Sequence, residues 1–116
     1  MARTTPPLPL AVRRALRKLG ADIRDARRRR RIPAALLAQR AMTSHVTLAK
    51  VERGEPSVSI AVYANALFVL GMVDRLGALA DASTDEVGLA LDEERLPQRV
   101  RRRSTDGGAA KRGAGP

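Results

Sequence analysis

The sequence predicts an all-α protein, and three observations carry that reading. Aromatic residues make up 2% of the chain and Trp is absent. The apolar inventory is mostly Ala, Leu and Val, which suits short helices packing closely better than a β-sandwich. Apolar positions recur at helical intervals, as at Val12, Leu16, Leu19, Ile23 and Ala26. Pro33, Gly54, Gly71 and Pro97 stand where those periods break, as helix stops do. At 116 residues the chain has room for one small domain plus tails, with a modest core.

Residues 1–9 hold Pro6, Pro7 and Pro9 without periodicity and read as a disordered arm. The domain is expected over 10–81. Its first helix starts near Leu10, contains Gly20 as a weak point, and ends in Arg27 to Arg31 before Pro33. Some of those arginines are candidates to lie beside phosphates; the alternative is a solvated basic end. A second helix runs from Pro33, suited to a first helical position, to about Ala41. Met42 and Thr43 make a turn, and Ser44 is an N-cap for a third helix that ends at Arg53 and Gly54.

A staple residue, Val58, and an N-cap, Ser59, open a fourth helix that ends at Gly71; its Tyr63 and Phe68 are expected to anchor the core. A fifth covers about Val73 to Ala80, with Val73, Leu76 and Leu79 inward. Residues 82–97 should form an extra amphipathic helix opened by a Ser83 and Glu86 capping box and ended by Pro97. Its apolar stripe of Val87, Leu91 and Leu96 needs a partner, either a dimer mate or another protein. Residues 98–116 are Gly-, Ala- and Arg-rich and read as a disordered basic tail.

The net charge of +10 is segregated. Residues 1–50 carry thirteen Lys and Arg against Asp22 and Asp25; residues 51–94 carry Arg53 and Arg75 against nine acids; residues 95–116 carry seven cations against Asp106. A basic front and tail around an acidic middle imply one face for a polyanion and another for something different.

Catalysis is poorly supported: there is one His, no Cys and no glycine-rich phosphate loop, and the carboxylates suggest neither a paired acid and base nor a metal cage. No catalytic residue, metal ligand or cofactor is expected. The lack of cysteine fits a reducing cytoplasm. No apolar run approaches the roughly 18 residues of a membrane span, so no membrane partner is expected.

The segment Leu37 to Gly54, LAQRAMTSHVTLAKVERG, organises the rest. Leu37, Ala38, Ala41, Leu48 and Val51 share one side expected to be buried. Ser44, His45, Val46, Thr47 and Lys50 fall at the start and outer face of the third helix. Short polar side chains on a first helical turn, in a strongly basic chain, suit entry into a DNA major groove.

The pattern LGxxIRxxRxxR over Leu19 to Arg30, then LAxRAxxSxxTLxxVERG over Leu37 to Gly54, then a helix ending in Leu70 and Gly71, resembles the XRE family of phage-repressor-like helix-turn-helix regulators over about residues 19–72. The resemblance implies a five-helix DNA-binding domain, a homodimer whose third helix reads a palindromic operator in double-stranded DNA. It places the N-cap and first base-reading positions on Ser44, His45 and Val46, the next contact on Thr47 and the mid-helix contact on Lys50. Arg40 and Arg53 join the expected DNA-binding set. It also implies a structural ion pair between Arg27 and Glu52. Two positions depart from the family pattern: Met42 stands where glycine is usual, and Pro33 with Ala34 where Ser or Thr followed by Gln is usual.

The segment SVSIAVYANALFVLGM, followed by an acidic helix and DEERLPQRVRRR, is similar to HipB-like antitoxins. This implies a HipA-like kinase toxin as a partner and autoregulation of the shared operon. The sequence therefore leaves two main functions open, a dimeric transcriptional repressor or an antitoxin of a toxin–antitoxin system. A non-specific RNA or membrane-surface binder is a third.

Overall fold

The computed structural model describes residues 7–105, with side chains through Arg95. Among these residues every regular element is helical: α1 Leu10–Arg29, α2 Ala34–Arg40, α3 His45–Glu52, α4 Ile60–Val69, α5 Val73–Gly77 and α6 Glu86–Thr105, with a 3₁₀ turn at Ala82–Thr84. The chain divides into two compact units at Leu76/Gly77, earlier than the expected domain end at residue 81. Residues 1–6 of the predicted arm and 106–116 of the predicted tail lie outside the described residues.

The core of the first unit is small and aliphatic. Ile23 and Ala26 of α1, Leu37 and Ala38 of α2 with its cap Ala41, Leu48 and Val51 of α3, and Tyr63, Ala66 and Leu67 of α4 with its cap Leu70 are all buried. Leu19, Ile32, Val58, Val62, Met72 and Leu76 pack around them. These are the intervals that put side chains on one side of each helix.

Two glycines set how closely the helices approach. Gly20 sits against α3 so tightly that a Cβ there would lie 2.5 Å from the Gly54 nitrogen and the Val51 carbonyl oxygen. The sequence shows Gly20 only as a weak helix former; its role is to let α1 and α3 meet backbone to backbone. Gly54 closes α3 at φ +73°, where an added Cβ would run into the backbone of Leu16 and Arg17.

Several local expectations are corrected. Phe68 is 69% exposed rather than an anchor. The inward stripe of α4 runs Tyr63, Ala66, Leu67, Leu70, and Phe68 lies about 140° around the helix from Tyr63. Helix α5 stops at Gly77, a poor helix former, so Leu79 is exposed instead of inward. Pro33 is the N-cap of α2 rather than its first helical residue, and Ser59 occupies the α4 cap without a side-chain hydrogen bond.

In the second unit the Ser83 and Glu86 capping box does not form. Asp81 Oδ1 accepts from the Ser83 amide and hydroxyl, both at 2.8 Å, which hold its carboxyl below the usual range. Asp85 caps α6 instead, its Oδ1 accepting from the Gly88 amide at 3.0 Å. Pro97, expected to end the last helix, lies within α6, which includes residues 98–105 of the predicted tail. Proline removes one backbone hydrogen bond there, and the Leu, Glu, Gln and Arg residues on either side favour helix.

Candidate nucleic-acid interface

The α2–α3 unit is built around one turn. Helix α2 ends at Ala41, and Met42 takes a left-handed conformation, φ +58°. The Thr43 amide reaches back to the Ala38 carbonyl at 2.9 Å and the Met42 amide to that of Gln39 at 3.1 Å, the closure that lets a helix end and reverse. Glycine adopts this conformation without penalty; Met42 adopts it with its side chain 84% exposed. Asn65 of α4 ties the turn down, its Nδ2 donating to the Ala41 carbonyl at 3.3 Å. Helical spacing gives no sign of this tether, because it joins residues 24 apart in sequence.

Ser44 is the N-cap of α3, as expected. Its Oγ accepts from the Thr47 amide at 3.0 Å and donates to Thr47 Oγ1 at 3.0 Å. Both hydroxyls are therefore engaged in holding the first turn, and Thr47 is half-buried. Leu48 and Val51 point into the core while His45 and Val46 are exposed and Lys50 half-exposed. At 3.6 residues per turn, His45, Val46, Ala49, Lys50 and Arg53 form one outward arc. Arg53 is exposed and pairs with Glu55 at 2.8 Å, a contact weak enough at an exposed site to exchange for another anion. Arg40, on the last turn of α2, is exposed.

Behind this arc, Arg27 of α1 grips Glu52 of α3: Nε donates to Oε2 at 2.7 Å and Nη2 to Oε1 at 3.1 Å. The third guanidinium nitrogen, Nη1, donates to the Ile32 carbonyl at 3.0 Å. One side chain thus fixes the α1–α2 junction and the end of α3 together. Glu52 is spent on this pair, which removes its negative charge from the outward side. Of the arginine run, Arg27 is turned inward, Arg30 donates to the Ala26 carbonyl at 2.9 Å, and Arg28, Arg29 and Arg31 are exposed. The loop after α3 is held by Tyr63, whose hydroxyl donates to the Glu55 carbonyl at 2.9 Å.

Val87 and Leu91 of the second unit are exposed, 72% and 54%. The side chain of Leu96 lies outside the described ones. Among the described residues no group of three or more His, Cys, Asp or Glu gathers in metal-binding range, and no helix is long and apolar enough to cross a membrane. No protein-family model, curated protein or solved structure matches the chain.

Proposed function

We propose that the chain is a sequence-specific, double-stranded DNA-binding transcriptional regulator of the phage-repressor-like helix-turn-helix (XRE) type, acting in the cytoplasm as a dimeric repressor. The observation that carries the reading is the division of α3 into two sides. Leu48 and Val51 are buried, while His45, Val46, Lys50 and Arg53 face outward on a rod capped by Ser44. A convex helix bearing donors on its first two turns fits the width of a major groove. In this reading Lys50 bonds a guanine, His45 a base edge or phosphate, and Thr47 the backbone beside the cap. Exposed Arg28, Arg29, Arg31 and Arg40 supply sequence-independent attraction to phosphates, so affinity falls steeply with salt.

Two copies would set their α3 helices about one DNA turn, roughly 34 Å, apart on a palindromic operator. The test is selection of duplexes from a random pool by the full-length protein. Enrichment of a palindrome with half-sites about ten base pairs apart, centre to centre, supports the reading; equal retention of all duplexes refutes it.

The exposed Val87 and Leu91 favour a second reading, in which the protein is an antitoxin whose acidic first part of α6, residues 86–94, binds and neutralises a HipA-like kinase toxin while the DNA-binding unit autoregulates the operon. Val87→Asp with Leu91→Asp separates the two. Loss of toxin binding with the dimer and its operator recognition intact supports the antitoxin reading, whereas loss of the dimer with half-site recognition intact assigns α6 to the repressor's own interface.

A further inference from the structure

The outward arc of α3 carries one large apolar side chain. Val46 is 67% exposed on the first turn of α3 and takes no part in the core. Leu48 and Val51 already fill the inward side, about 140° or more around the helix from Val46, whereas Lys50 and Arg53 lie within about 40° of it. Packing within the unit therefore gives no reason for a valine at this position. Its χ1 is almost fully set in a helix, so its two methyl groups form a rigid wedge that loses little freedom on contact. Donors surround it, but the wedge itself has none.

A duplex offers a rigid apolar wedge one matching group in the major groove, the C5-methyl of a pyrimidine. Thymine always carries it, and cytosine carries it when methylated. Resting on the DNA-binding reading above, we infer that Val46 is a specificity-determining residue that takes a C5-methylated pyrimidine, thymine or 5-methylcytosine, in each half-site. Lys50 is one helical turn further on, a rise of about 6 Å. Base pairs are spaced about 3.4 Å apart, so the methylated pyrimidine and a guanine bound by Lys50 fall within about two base-pair steps of each other. Binding to a site with cytosine at that position then depends on its methylation.

The test starts from the duplex that the full-length protein selects from a random pool. Each thymine is replaced singly by deoxyuridine, which removes only the methyl group. The expected result is a loss of about four-fold per half-site at one position, the effect of uncovering one methyl-sized group. That loss is absent in Val46→Ala, and 5-methylcytosine binds tighter than cytosine at the same position. A deoxyuridine penalty of equal size in wild type and Val46→Ala overturns the inference, as does no penalty at any position, while DNA reading itself stands. If no duplex is selected, the underlying function falls as well.

Discussion

Arg27 and Glu52, twenty-five residues apart, meet in a two-pronged ion pair with Nε–Oε2 2.7 Å and Nη2–Oε1 3.1 Å, both side chains nearly buried. The pair locks α1 to the end of α3 and leaves the outward arc free of Glu52's charge. Removing one partner leaves an uncompensated charge largely shielded from water. Glu52→Ala is expected to lower the unfolding free energy by about 3 kcal/mol, and Arg27→Leu with Glu52→Leu by less than the sum of the single changes. Urea unfolding midpoints at unchanged slope measure this; additive losses below about 0.5 kcal/mol each would show a merely superficial pair.

Gly20 reverses a general rule. Replacing a helical glycine with alanine ordinarily stabilises by about 1 kcal/mol. Here the new Cβ would sit 2.5 Å from the backbone of Gly54 and Val51, and backbone cannot step aside cheaply. Gly20→Ala is expected to destabilise by about 2 kcal/mol. A raised melting temperature would show that α1 and α3 are not so closely seated.

Met42 offers the opposite case. Its φ of +58° is strained for a side chain that makes almost no contact. Met42→Gly is expected to stabilise the fold by about 1 kcal/mol, a rise of about 5 °C in Tm for a domain of this size. No change, or a fall, would mean that the exposed methionine contributes contacts of its own.

Tyr63 gives a pH signature. Burial, and then the nearby Glu55 carboxylate, push its phenol above the ordinary 10.0. The neutral form is the one the fold favours, so its contribution is fully present below pH 10. It is lost as pH rises from there through the folded-state value. Tyr63→Phe should remove that alkaline decline and cost about 1 kcal/mol at neutral pH, from the lost hydrogen bond to the Glu55 carbonyl. Denaturant titrations between neutral pH and pH 11 read both effects.

What the sequence makes legible is local. The buried side of Leu37, Ala38, Ala41, Leu48 and Val51, the Ser44 cap and the stop at Gly54 follow from helical spacing and capping chemistry, and all are present. The Arg27–Glu52 pair followed from a resemblance rather than from spacing, and it too is present. What was missed depends on which neighbour happens to stand opposite. Phe68 has the composition of a core residue but faces away from the core, Gly20 is explained only by α3, and Asn65 by the Ala41 carbonyl. At the candidate site, exposure of His45 and Val46 was legible, whereas the engagement of Thr47 with Ser44 was not. At the second unit, aspartates rather than Ser83 supply the caps, Asp81 taking the Ser83 amide and Asp85 the Gly88 amide.

The most direct measurement compares the affinities of wild type, Lys50→Ala and His45→Ala for every single-base-pair variant of the selected duplex. The account predicts that each alanine variant folds normally and loses base preference at a distinct position in each half-site, about 1–3 kcal/mol there, while preference elsewhere is kept. An unchanged affinity and an unchanged preference profile for Lys50→Ala would contradict the assignment of the outward side of α3 as the surface that reads DNA.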